Sequence, residues 1–289
     1  MWNVSYIVER KEADYGQSTM ATQGTRRTGS QAVERALGLL RSFEVGPPTR
    51  SLSELAQLTG LTPATAHRLL RALCCAELLA HDPLTERYGL GVALVPLGSR
   101  AADALGVSAV RPLLESLAAT TGESVNLGVR DGGDVLVLLG VPSAQNLRFD
   151  QGAGTRVPAY ASAMGKVLLA FDPDPAEAVH SVPRLTKLTG STITSRSVLS
   201  RVLEETRDRG WAINDEEREP SVRTVAVPVR AGDGCAVAAV AVQGPSSRMT
   251  DDRITKLLPS LQAAATGVAT RLSALRSWGL EPTTADRPV

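Results

Sequence analysis

A chain of 289 residues, 43% apolar and 21% charged, can bury two cores, and its formal net charge of +1 excludes whole-molecule attraction to polyanions. Its longest apolar runs, such as Val135–Val141 and Ala236–Val242, are strand-sized and far below the ~20 residues of a bilayer span, and MWNVSYIVERKEADYG carries no secretory pattern, so a cytoplasmic location without membrane contact is expected. Cys74, Cys75 and Cys235 form no C-x-x-C pair, which argues against a disulfide framework or zinc finger and reads as reduced, mostly buried thiols.

Residues 1–28 are polar and aperiodic, a disordered tail by expectation, holding Arg26, Arg27 and an alternative start at Met20. In SQAVERALGLLRSFE, Val33, Ala36, Leu37, Leu40 and Phe43 recur at helical steps, with Ser30 placed as N-cap. After Gly46-Pro47-Pro48, Ser51 and Glu54 have the spacing of a capping box, and Gly60 stops a helix of two turns. Thr62 and Pro63 then supply an N-cap and a first-turn proline for a third helix reaching Cys75. Leu78–His81 and Arg87–Leu90 are strand-like runs around the turn signal Asp82-Pro83-Leu84-Thr85, completing a winged helix-turn-helix order, and Ala93–Leu105 reads as a connecting helix.

From Val107 the pattern becomes mixed. A helix at Ala109–Thr120 precedes strands at Ser124–Arg130, Asp134–Val141 and Asn146–Phe149; helices follow at Ala161–Ala170, Pro175–Ser181 and Arg196–Arg209. Strands return at Val222–Val229 and Ala236–Val242 around Gly232-Asp233-Gly234, and a last helix runs from Asp251 to Leu275. Strands on either side of a helical middle predict an α+β domain with one antiparallel sheet.

At ~100° per residue, Ala66, Leu69, Leu70 and Leu73 share one stripe of the third helix, while Ala64, Arg68, Arg71 and Cys75 face away, with Thr65 and His67 on the flanks. Small residues at the start of the helix permit close approach to a groove, and the arginines can reach phosphates or guanine edges. Two outward arginines on an arbitrary helix are usually only solvated; here the helix is the second of a closely spaced pair and a ribbon with Arg87 and Tyr88 follows. The expected DNA-contacting set is therefore Ser51, Thr62, Ala64, Thr65, His67, Arg68, Arg71, Arg87 and Tyr88, with Arg26 and Arg27 from the tail. Residues 26–105 hold nine arginines against seven acids, so affinity must come from a few phosphate contacts multiplied by symmetry on an inverted repeat. His67, Cys74 and Cys75 lack metal-ligand spacing, and no nucleophile elbow, P-loop or dinucleotide fingerprint occurs, so neither a metal, a cofactor nor an enzyme is expected.

The motifs SQAVERALGLLRSF, SLSELAQLTGLTPATAHRLLRAL, RYGLG, PAYASAMGKVLLA, GWAINDEEREPSVRTVAVPV and VAVQGPSSRMTDDR, in that order, resemble the IclR family of bacterial transcriptional regulators from about Ser30 to Leu275. The resemblance implies a winged helix-turn-helix domain at 29–92, a linker helix at 93–107, a GAF-like effector-binding domain at 108–276 and a flexible tail at 277–289. It also implies a homodimer or dimer of dimers on operator DNA, and repression, or alternatively activation of an aromatic or organic acid catabolic operon, modulated by a small metabolite. Carried over, backbone groups at Ala163 and Met164 meet a ligand's oxygens, and Asn214, Val222, Thr224, Ala241 and Gln243 line the rest. Many members have Asp at 214, Cys at 224 and Ser at 241 and 243, so this pocket suits an amide- or ureide-like ligand or a larger acid. The helix start near Ser162 attracts carboxylates or is simply capped by Ser162, and Asp215, Glu216, Glu217 and Glu219 read as a solvated or interdomain face.

Overall fold

The computed structural model describes residues 30–182, 184–230, 232 and 234–272. The expected tails, with Arg26, Arg27 and Met20, and the end of the last helix beyond residue 272 lie outside these residues. Contacts divide the chain into two compact units, Met1–Arg100 and Ala101–Val289. Among the described residues no helix is long and apolar enough to cross a membrane.

In the first unit, helix α1 (Gln31–Arg41) leads to a short strand β1 (Thr49–Ser51), helices α2 (Leu52–Thr59) and α3 (Pro63–Cys75), and the hairpin β2 (Leu79–Asp82) and β3 (Arg87–Leu90). Strand β3 lies between β1 and β2, antiparallel to both. Leu39, Leu55, Leu70, Leu73, Leu79 and Tyr88 form the core. The expected stripe of α1 is only partly inside: Val33 and Leu37 are exposed, and Leu39 is the fully buried position. Ser30 does not cap α1 either; its hydroxyl bonds to Glu34 instead, at 3.0 Å. The capping box of α2 is present, with Ser51 Oγ accepting from the Glu54 amide at 3.3 Å and Glu54 Oε2 accepting from the Ser51 amide at 2.6 Å. Gly60 stops α2 at φ 64°, and Thr62 Oγ1 caps α3 by accepting from the Thr65 amide at 3.4 Å. These local signals fix the tight turn between α2 and α3, which aims the start of α3 outward.

Helix α4 (Leu94–Ala104) buries none of its residues. In the second unit, α5 (Val107–Thr121) precedes β4 (Ser124–Asp131) and β5 (Asp134–Val141); then come β6 (Arg156–Pro158), a 3-10 turn at Ala159–Ala161, and helices α6 (Ala163–Ala170), α7 (Pro175–Ser181) and α8 (Arg196–Arg209). Strands β7 (Ala212–Asp215), β8 (Val222–Arg230) and β9 (Ala236–Pro245) and helix α9 (Asp251–Arg271) complete it. The antiparallel sheet has the order β6-β5-β4-β9-β8-β7. Because side chains alternate along a strand, its two faces build two cores. Val125, Leu127, Val129, Val225, Val227, Val240 and Val242 pack with α5 and α9; Val135, Val137, Ala226, Ala239 and Ala241 pack with α6, α7 and α8.

The strand expected at Asn146–Phe149 is absent, and that segment is irregular. Its neighbouring carbonyls are taken by side chains from the sheet rather than by a ladder: Gln243 Nε2 donates to Phe149 O at 2.6 Å and Asn126 Nδ2 to Gln151 O at 3.1 Å. Three short strands, β1, β6 and β7, have no periodicity long enough to read in sequence.

Candidate nucleic-acid interface and effector site

Helix α3 sorts its residues as its spacing predicts at most positions. Ala66, Leu70 and Leu73 are buried, while Ala64, His67, Arg68 and Arg71 are exposed. Neither Arg68 nor Arg71 has an ion-pair or hydrogen-bond partner among the described residues, so both guanidinium groups are available to an external anion. His67 and Arg71 border a shallow groove closed on its other sides by Ser51, Ser53, Cys75 and His81. Cys75 is exposed and Cys74 half-buried, so these thiols are not the buried pair expected.

The wing differs from expectation. Tyr88, expected among the DNA contacts, is a core residue, its ring tilted at 36° to that of His81 with centroids 4.5 Å apart. Arg87 is tied inward: Nε donates to Thr49 Oγ1 at 3.0 Å, and Nη2 to Thr49 O at 2.8 Å and to Glu54 Oε2 at 3.0 Å. Arg87, expected among the DNA contacts, thus staples β3 to β1 and α2. The hydroxyls of Ser51 and Thr62 are engaged in the caps described above, and a helix cap still leaves the outer lone pair open.

In the second unit, the residues carried over from the resemblance come from separated strands to one place. Asn214 pairs with Thr224, Thr224 with Gln243, and Gln243 with Ser124, making a polar row across β7, β8, β9 and β4. The next row on the same face is Ala212, Ala226, Ala241, Asn126 and Gly140, small but for Asn126. Val222 lies two residues before Thr224 on the same face, and all these residues except Gly140 are buried. Helix α6 packs over this face, with Met164 Sδ 3.1 Å from where a Cβ on Gly128 would stand. Its close seating needs Gly165, since a Cβ there would fall 2.2 Å from Ala159 O. Ser162 Oγ caps the helix by accepting from the Gly165 amide at 3.1 Å, while the amides of Ala163 and Met164, in the first turn, have no i−4 carbonyl within the helix. Asn214 Oδ1 is already used, accepting from the Glu217 amide at 2.9 Å.

The acidic run, expected to be a solvated or interdomain face, is exposed at Asp215 and half-buried at Glu216 and Glu219. Glu217 is buried and ion-paired with Lys166, whose ammonium also donates to Ile213 O at 2.9 Å. Burial holds the Lys166 pKa below its ordinary value, with Glu217 opposing the shift. Arg218 is largely buried as well, which lowers its pKa, and Glu219 at 3.1 Å opposes that. Sequence reasoning missed Ser124, Asn126, Gln151 and Arg218 at this site; Asn126, a polar residue inside the apolar strand SVNLGV, was the one local signal that could have found them.

Residues 32–83 match the IclR helix-turn-helix domain, and residues 103–270 match the C-terminal domain of bacterial IclR transcriptional regulators. The chain belongs to the IclR family. It is a ligand-responsive, DNA-binding transcriptional regulator and not an enzyme. It is 36% identical over 85% of its length to the glycerol operon regulatory protein of Streptomyces griseus, covering 98% of that protein. It is 31% identical to the transcriptional repressor AllR of Klebsiella pneumoniae, over 88% of this chain and 92% of that one. The fold matches an IclR homolog of Microbacterium hydrocarbonoxydans complexed with 4-hydroxybenzoate, with TM-score 0.74 at 24% identity, covering 84% of this chain and 100% of the other.

Proposed function

We propose that this IclR regulator represses a metabolic operon by binding an inverted repeat through α3, and that a small organic acid or ureide-like metabolite held on the polar sheet face of the C-terminal unit releases it. The observation that carries the DNA half is the pair of exposed, unpartnered guanidinium groups of Arg68 and Arg71, with Ala64, Thr65 and His67 beside them. Ser51 and Thr62 border the same approach, and Arg26 and Arg27 would add phosphate contacts from the preceding tail. The effector half rests on the rows formed by Asn214, Thr224, Gln243 and Ala241, with Val222 and the Ala163 and Met164 amides at their margin. A carboxylate suits those amides, and the Microbacterium homolog with its bound 4-hydroxybenzoate supports the same ligand class. The working boundaries are a DNA-binding domain at 29–92, a linker helix at 93–107 and an effector domain at 108–276.

Two copies on one operator fit the modest charge of the DNA-binding unit. Val33, Leu37, Val92, Val95 and Leu97 leave apolar surface exposed in the first unit, which a second copy of the chain would cover. The experiment is a titration of promoter DNA and random DNA of equal length at rising salt, with footprinting and then addition of organic acids and ureides. The expected result is a protected inverted repeat, affinity falling steeply with salt, and release by one ligand class. Equal affinity for random and promoter DNA would remove the operator reading, and transcription that falls when the regulator is deleted would make it an activator.

A further inference from the structure

The sheet face under α6 carries more hydrogen-bonding capacity than its internal contacts use. Asn126 is 2% exposed, and while its Nδ2 donates to Gln151 O at 3.1 Å, its Oδ1 has no partner. Arg218, with its side chain 13% exposed, has a buried and unpartnered Nε. Buried polar atoms are nearly always satisfied in native folds; of the four open ones among the described residues, Asn126 Oδ1 and Arg218 Nε are the two whose side chains both bond Gln151, and they point to a missing ligand.

Both groups meet at Gln151, in the irregular segment 142–155. With its amide oriented to satisfy its neighbours, the Gln151 side-chain carbonyl lies 2.6 Å from Arg218 Nη2, while its backbone carbonyl holds Asn126. Gly140 makes this possible, because a Cβ there would stand 2.0 Å from Gln151 O. The surrounding acids already have cationic partners: Asp150 has Arg148 at 2.7 Å, Glu217 has Lys166 on Oε1 while its Oε2 stays open, and Glu219, at the more exposed rim, has Arg218. The segment has other ties to the sheet and beyond, from Gln243 to Phe149 O, from Ser124 to Asp150 and from Arg248 to Leu147 O.

We propose that Gln151 is an internal stand-in for the effector: its side-chain carbonyl holds Arg218 in the unliganded chain, and a hydroxy acid displaces it, setting its carboxylate on Arg218 and its hydroxyl on Asn126 Oδ1. This rests on the effector-site reading above. A guanidinium fork matches a carboxylate in two parallel charge-assisted bonds, whereas an amide carbonyl is a neutral acceptor, so the exchange favours the acid. An acid without the hydroxyl leaves Asn126 Oδ1 open, and a neutral amide gives the buried side of Arg218 no anion, leaving it only Glu219 at the rim. Loss of the Gln151 tie loosens segment 142–155, which gives binding a direct mechanical consequence.

The test is calorimetric titration of the full chain with three matched sets: lactate, propionate and lactamide; mandelate, phenylacetate and mandelamide; 4-hydroxybenzoate, benzoate and 4-hydroxybenzamide. At least one hydroxy acid should bind about tenfold or more tightly than both its deoxy acid and its amide. Arg218→Gln should weaken that binding about tenfold or more, with Arg218→Lys recovering part, since lysine keeps the charge and loses the fork. Gln151→Leu removes the competitor without removing a ligand contact and should tighten binding about threefold or more, which stands even if the Arg218 variants fold poorly. Equal affinity for hydroxy acid and amide in every set that binds, or an unchanged Kd in Gln151→Leu, overturns the proposal. If binding responds to Thr224→Val and to neither Arg218→Gln nor Gln151→Leu, the effector site stands and this assignment falls. If none of the nine probes binds, the assignment falls, and the effector site is then judged by DNA release with ureides.

Discussion

The outward face of α3 and the sheet face beneath α6, proposed above as the DNA and effector sites, are built in opposite ways. On α3 the reactive groups are adjacent in sequence, exposed and without partners, so an incoming polyanion has only water and counterions to displace. Beneath α6 the groups come from β4, β7, β8, β9 and the segment 142–155, and nearly all are buried and committed to one another. A ligand there must replace an internal contact. The first design gives affinity that salt tunes; the second gives selectivity and a route from binding to rearrangement.

The largest effect that separates the regions comes from α3. Arg68→Ala with Arg71→Ala should weaken operator binding about 100-fold or more and reduce the salt slope, while the melting temperature stays within about 1 °C, since neither side chain packs in the core. A comparable loss of stability would show that the face is structural. In the second region the order reverses. Lys166→Met leaves Glu217 buried without its cation and should cost about 3–5 kcal/mol in urea unfolding, whereas Lys166→Met with Glu217→Leu should recover most of that. If the double variant is no better than the single, the ion pair is not the source of the loss.

Smaller effects sharpen the geometry around α3. Ser51→Ala removes the cap of α2 and should cost about 1 kcal/mol. The Ser51 amide, donating to Glu54, is the main cause holding that carboxyl below its ordinary 4.5, with burial partly opposing it. Because the unfolded chain takes up that proton at higher pH than the folded one, the contribution is complete above 4.5 and is lost as pH falls through the lower folded value. Glu54→Gln should flatten that part of the acid-unfolding profile, and an unchanged profile would place the acid sensitivity elsewhere.

The same contrast explains what could be read in sequence. Ser51, Glu54, Gly60, Thr62 and Pro63 are local signals with local causes, and they located α2, α3 and the cationic face without any long-range information. The burial of Tyr88 and the ties of Arg87 were not legible, because the ribbon's alternation does not say which face packs inward, and β1, whose Thr49 holds Arg87, was too short to see. The acidic run from Asp215 to Glu219 looked solvated because its buried partner, Lys166, lies far away in sequence. The effector rows were placed only through family resemblance, since registers between β4, β7, β8 and β9 decide them. Asn126 and Arg218 fell outside that carry-over, and only the pairing of β4 with β5 and β9 brings Asn126 to the same face.

The most direct test of the two-region account is hydrogen exchange of the full chain, read peptide by peptide, alone, with promoter DNA, and with the hydroxy acid that binds best. The account predicts that DNA slows exchange most strongly over residues 62–75, whereas the acid acts most strongly at 142–155 and 162–165. Promoter DNA that gives no protection across 62–75, or an acid whose only effect falls on the first unit, would contradict it.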